Sequence, residues 1–94
     1  MPATQSWFVY VLKCADGSFY TGITTDISRR FHEHSQGAGK AAKYLRGRAP
    51  LQLVFQQQVE NRSIASKLEH QIKKLSRSQK TDMVKAGHYE LDSQ

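Results

Sequence analysis

Tyr10 and Tyr20 lie within one stretch of this 94-residue chain, WFVYVLKCADGSFYTGI, and three further side chains could join them: Arg30, His34 and Glu69. A phenol, with a reference pKa of about 10, accepts a proton near neutrality only where a nearby cation depresses that value. A guanidinium offers a rigid fork for an anion, and one carboxylate suits a cation that keeps most of its water. These groups make a reactive set only if strands and helices bring them to one place.

The hairpin decides the first part of that question. Trp7 to Leu12 is an unbroken apolar run rich in β-branched and aromatic residues, which predicts a central strand covered on both faces. Ala15-Asp16-Gly17-Ser18 is turn chemistry, and Phe19 to Ile23 is a second short strand. A two-residue Asp-Gly turn would set Tyr10 opposite Ile23 and send Tyr20 to the other face. A three-residue Ala15-Asp16-Gly17 loop with Gly17 left-handed sets Tyr10 opposite Gly22 and Tyr20 opposite Leu12. The phenols are then diagonal neighbours, roughly 7 to 8 Å apart at the backbone. Gly22 leaves out a side chain where a ligand could approach the sheet. The plainer reading of the same residues is packing plus a bulge.

The elements that follow supply the rest. Thr24-Thr25-Asp26 offers helix caps for a segment running to about Gln36, ended by Gly37 and Gly39. Ile27 and Phe31 form its sheet-facing i, i+4 pair, and Arg30 with His34 form a second pair displaced by about 60° or less. From that shoulder their stems rest on the core while their polar ends reach the edge of the sheet. Leu51 to Val59 reads as a third strand beside the first. Asn61 or Ser63 caps a helix with the stripe Ile64, Leu68, Ile72 and Leu75. Glu69 sits at its border, about 90° from the centre of the stripe. By spacing alone the simpler role for Glu69 is an i, i+4 partner of Lys73. Ser76 or Ser78 caps a last helix containing Met83 and Val84 and closing at Gly87.

The result is one domain of the α+β class: a small three-stranded antiparallel sheet flanked by helices, in the order β-β-α-β-α-α. Its core runs over about 7–86, with frayed ends at 1–6 and 88–94. A chain this size buries roughly two-thirds of its unfolded surface, enough for one modest core.

Fourteen lysines and arginines against eight acidic residues give a formal charge of +6 and a pI near 9.7. That excess favours a polyanion, nucleic acid before an anionic membrane surface. Lys40, Lys43, Arg46 and Arg48 surround Tyr44 in GAGKAAKYLRGRAP, a loop suited to phosphate contacts and base stacking, or simply to solvent. Cys14 is the only cysteine, which excludes an intrachain disulfide and a cysteine-based zinc site and implies a reducing, cytoplasmic setting. No run approaches membrane-spanning length. His32 and His34 point in different directions on a helix, and neither a glycine-rich phosphate loop nor a serine nucleophile elbow occurs.

The ordered set Tyr10, Tyr20-Thr21-Gly22, Arg30, His34 and Glu69 resembles that of the GIY-YIG endonuclease superfamily, most closely its small stand-alone bacterial branch, the YhbQ-like proteins. The two signatures read here as Phe8-Val9-Tyr10 and Tyr20-Thr21-Gly22, and the similarity runs from about Phe8 to Lys80. The resemblance implies hydrolysis of a DNA phosphodiester with one divalent metal, Mg2+ or Mn2+. It makes Tyr10 the general base or water-orienting group, Tyr20 the second phenol, Arg30 the phosphate ligand, His34 a neighbour of the phosphate and Glu69 the metal ligand. No residue clearly matches the polar position that some members carry after the glutamate, Ser76 and Ser78 being the nearest. The separate DNA-binding domain or partner-docking segment that larger members use is not expected within these 94 residues.

The implied substrate is DNA rather than RNA, in branched, damaged or single-stranded form during repair. Gly22 and the basic residues Lys40, Lys43, Arg46 and Arg48 with Tyr44 would contact it. A protein partner could supply specificity, and the chain would act as a monomer or weak dimer. A rival keeps the scaffold as a non-catalytic nucleic-acid-binding module, and a third reading has the basic face meet an acidic protein.

Overall fold

A computed structural model describes residues 6–36, 45 and 47–91. Lys40, Lys43, Tyr44 and Arg46 and the helix end expected at Gly37 and Gly39 lie outside the described residues. The elements are β1 (Trp7–Lys13), β2 (Phe19–Thr24), α1 (Ile27–Gln36), β3 (Gln52–Val59), α2 (Arg62–Lys73) and α3 (Arg77–Ala86). The strands form one antiparallel sheet in the order β2-β1-β3, so β1 is central. Val9, Tyr10, Val11 and Leu12 are all buried, as the unbroken apolar run requires.

Each face of β1 has its own core. Val9 and Val11 join Phe55 and the α2 and α3 residues Ala65, Leu68, Ile72 and Met83. Tyr10, Leu12 and Cys14 join Leu45, with Tyr20, Ile27, Phe31, Leu51 and Leu53 packed around them. Between β1 and β3 the register passes from Val11–Phe55 to Leu12–Leu53, leaving Val54 as an extra residue on β3. That bulge lets Phe55 and Leu53, two apart and otherwise on one face, serve opposite cores.

The hairpin adopts the three-residue loop. Cys14 N–H donates to the Ser18 carbonyl at 2.8 Å and Gly17 N–H to the Cys14 carbonyl at 2.9 Å, with Gly17 at φ +86°. Asp16 Oδ1 accepts from the Ser18 amide (3.0 Å) and hydroxyl (2.7 Å), which hold its carboxyl below the ordinary range. Tyr10 therefore faces Gly22, and Leu12 faces Tyr20. The two-residue register would have turned Phe19 away from the α2–α3 core that it packs against.

The helices begin where their caps stand. Asp26 Oδ1 accepts from Arg29 N–H at 3.0 Å, Asn61 caps α2, and Ser76 with Gln79 forms a capping box on α3. The C-terminal segment departs from expectation, since Tyr89 is not frayed. The Gln57 carboxamide donates to the Tyr89 carbonyl (3.0 Å) and accepts from its N–H (2.8 Å), while the ring packs on the first core. One side chain from the sheet edge thus substitutes for a backbone partner. At the other end Ser6 is also held, its hydroxyl accepting from Gln58 Nε2 at 2.8 Å.

Candidate active site

The register puts both phenols on the α1 side of the sheet, with ring centroids 6.4 Å apart. His34, one helical turn beyond Arg30, completes a triangle with centroids 6.1 Å from Tyr10 and 5.5 Å from Tyr20. Tyr10 Oη and His34 Nε2 are 2.9 Å apart. Both residues are only 2% exposed. The α1 pattern places His34 on the shoulder of the sheet-facing stripe; in the structure its ring is buried, and the Tyr10 hydroxyl gives the buried imidazole a partner.

Charge follows from that burial. Burial first, then the neighbouring Tyr20 and the Glu69 carboxylate, raise the Tyr10 phenol above its ordinary value, while Arg30 pulls it the other way. A phenol accepts a proton near neutrality only where a cation depresses it; Arg30 acts on Tyr10 in that sense, but burial outweighs it. Burial, reinforced by Arg30, also lowers His34 to about 4. At neutral pH the pair is thus an uncharged phenol against an uncharged imidazole. Burial disfavours the Arg30 guanidinium, but Glu33 and Tyr10 outweigh it and hold Arg30 above its ordinary value. Glu33 Oε1 accepts from Arg30 Nη1 at 2.8 Å, and Arg30 keeps 29% of its side chain in solvent.

This geometry gives His34 a measurable signature. Above pH 6.5 the imidazole is neutral whether folded or not; between there and about 4 only the unfolded chain takes up the proton. Stability carried by His34 is therefore present above 6.5 and lost as pH falls toward 4, by about 3 kcal/mol in total. Urea unfolding from pH 7.5 to 4.5, about 6 to 4 being the informative range, should show a steeper decline for the native chain than for His34→Gln. Parallel declines would rule out a neutral, buried His34.

A model of the GIY-YIG catalytic domain matches residues 6–82. The chain belongs to the GIY-YIG family. It is 52% identical to the UPF0213 protein DP2720 of Desulfotalea psychrophila, over 87% of this chain and 74% of that one. It is 46% identical to the UPF0213 protein YhbQ of Escherichia coli, over 86% and 79% respectively. Among solved structures, the protein EF2693 from E. faecalis is 41% identical, covers 96% of this chain and 97% of its own, and superposes with a TM-score of 0.62. The UPF0213 protein BH0048 from Bacillus halodurans is 43% identical, covers 86% and 84%, and has a TM-score of 0.56. The α+β fold and element order are thus those of GIY-YIG neighbours, the branch is that of the YhbQ-named relatives, and the family is one of nuclease-type hydrolases.

Within this GIY-YIG domain the remaining expected residues divide. Glu69 keeps 25% of its side chain exposed, and its Oε2 lies 3.2 Å from Lys73 Nζ, the pairing that helical spacing favoured. Its charge also reaches Tyr10. Among the described residues no three histidine, cysteine, aspartate or glutamate side chains gather as a metal site. A divalent ion here would rest on Glu69 and water, which fits the hydrated coordination of magnesium, and Lys73 would have to yield the carboxylate.

Gly22 does not leave an open approach for a ligand. A Cβ at position 22 would stand 2.5 Å from Tyr10 Oη and 2.6 Å from its Cζ, so the space belongs to the Tyr10 ring. Arg48 is drawn into the hairpin turn: its Nη1 donates to Asp16 Oδ2 at 2.5 Å, and its carbonyl accepts from Ala15 N–H at 2.9 Å. Sequence reasoning missed Glu33, which the i, i+3 spacing from Arg30 could have revealed. It also missed Gln56, an exposed neighbour of Tyr10 across β1 and β3 that only the bulged register locates.

Proposed function

We propose that this protein is a metal-dependent endonuclease that hydrolyses DNA phosphodiester bonds with Mg2+ or Mn2+, acting in the cytoplasm on branched, damaged or single-stranded DNA during repair. The observation that carries the reading is the buried Tyr10–His34 hydrogen bond, with Tyr20 beside it and Arg30 half-exposed at its rim. DNA is favoured over RNA through the family resemblance, and the +6 charge suits either polyanion.

Arg30, held by Glu33, binds the non-bridging oxygens of the scissile phosphate through its fork. Tyr10 takes a proton from the attacking water as its own hydroxyl proton passes to His34 Nε2, which leaves the phenol neutral throughout. Phosphate beside Arg30 offsets the positive field that helps to depress His34, making the imidazole a better acceptor in the complex. Tyr20 orients the water or a phosphate oxygen from the same face. The leaving oxygen is protonated by solvent. A divalent ion on Glu69 would supply charge stabilisation at the phosphoryl and leaving oxygens.

The test is cleavage of branched, nicked and single-stranded DNAs across a magnesium series. Wild-type protein should cut only with the ion, and Glu69→Ala should raise the magnesium needed for half-maximal cleavage by about tenfold or more. Cleavage indifferent to Glu69→Ala would remove that residue from its role. A second reading, a non-catalytic nucleic-acid module that works with a protein partner as monomer or weak dimer, is favoured by the raised phenol and the Glu69–Lys73 bridge. Salt-sensitive binding without product, unaffected by magnesium or Glu69→Ala, would establish it instead.

A further inference from the structure

Five of the chain's 14 lysines and arginines fall between Lys67 and Lys80, against one acidic residue, Glu69. Part of this charge lies near β2, because α2 packs against that strand and Arg77 reaches its first residue, Phe19. At one end Lys73 Nζ stands 3.2 Å from Glu69. Lys74 closes α2 and Arg77 opens α3, both exposed. The Arg77 guanidinium lies 5.4 Å from the Phe19 ring centre, and its Nη2 is 3.2 Å from where a Cβ of Gly17 would stand, so Arg77 rests on the hairpin turn. Lys13, also exposed, is the cross-strand partner of Phe19. Cations thus run from the Glu69 carboxylate to the tip of the hairpin.

The spacing fits a polynucleotide backbone. Lys73, four residues after Glu69 on the same face of α2, lies about 6 Å further along the helix axis, close to two phosphate steps along one strand, and Lys74 follows it in the chain toward Arg77. Lysines on long stems match charge rather than base identity, and the Phe19 ring holds the Arg77 fork in place. Resting on the nuclease reading above, we propose that Lys13, Lys74 and Arg77 form a phosphate track that holds the substrate strand beyond the scissile bond, without reading its sequence.

Fluorescence anisotropy of a labelled DNA duplex across a sodium chloride series, without divalent ions, tests the track. The Lys13→Gln/Lys74→Gln/Arg77→Gln variant should lower the slope of log K against log salt by about 2 to 3, at about 0.9 per phosphate contact. Because Arg77 also packs on Phe19, Lys13→Gln/Lys74→Gln serves as a second variant that disturbs no ring contact, with an expected drop of about 2. Lys85→Gln, at the far end of α3, should leave the slope unchanged. A wild-type slope in both multiple variants, or an equal loss per residue in Lys85→Gln, overturns the track while leaving the nuclease reading intact. Absence of any wild-type binding at low salt overturns both. Unchanged DNA binding with weakened capture of an acidic protein would transfer these cations to that partner and likewise overturn the proposal.

Discussion

Tyr10→Phe is expected to slow DNA cleavage by about 10²- to 10⁴-fold in single-turnover assays, the range typical of losing a general acid–base group. The phenol oxygen lies 2.9 Å from His34 Nε2, and the pair lies out of solvent. Deleting the hydroxyl removes both the acceptor for the water proton and the route onward to the imidazole. The fold should survive, at a cost of about 1 to 3 kcal/mol for leaving the buried ring nitrogen without its partner. If the two residues act as one relay, adding His34→Gln to Tyr10→Phe should slow the reaction little further, because residues working as a unit are not additive. A Tyr10→Phe protein that cuts within a few-fold of the native rate would remove Tyr10 from the chemistry.

Gly22→Ala should be nearly as damaging, although the residue touches no substrate. A real Cβ cannot stand 2.5 Å from a phenol oxygen, and the Tyr10 ring cannot move aside cheaply with Tyr20 and His34 on its flanks. The ring must shift by about 1 Å, a displacement that can cost about 10²-fold in rate. Overpacking adds about 1 to 3 kcal/mol of destabilisation, read by urea unfolding. The cause can be separated from a general intolerance of β2. In a Tyr10→Leu background no ring tip overlies position 22, so the same alanine should cost markedly less stability. Equal costs in the two backgrounds would show that the conflict with Tyr10 is not the reason for glycine there.

These two outcomes also mark where sequence reasoning stopped. That Tyr10 and Tyr20 could share a face was legible in the hairpin, because the period of two and the loop length leave only two registers. The choice between them came from the tertiary structure: Phe19 has a core to enter and Arg77 above it, so the three-residue loop wins. The role of Gly22 shows the same division. Its position opposite Tyr10 is a matter of counting, but whether the vacant space receives a ligand or the Tyr10 ring depends on a side-chain path that counting does not reveal.

The order of strands and helices, the apolar stripe of α2 and the family resemblance were all open to reading along the chain, and the caps were narrowed to Thr24–Asp26, to Asn61 or Ser63 and to Ser76 or Ser78, among which the structure selects Asp26, Asn61 and Ser76. The protonation states were not open to such reading. Tyr10 is raised and His34 lowered because α1 and the sheet exclude water from both, and desolvation is a property of everything packed around a group rather than of its neighbours in sequence. The hold of Gln57 on Tyr89 and of Asp16 on Arg48, each joining residues 32 apart, likewise exists only once distant segments have met.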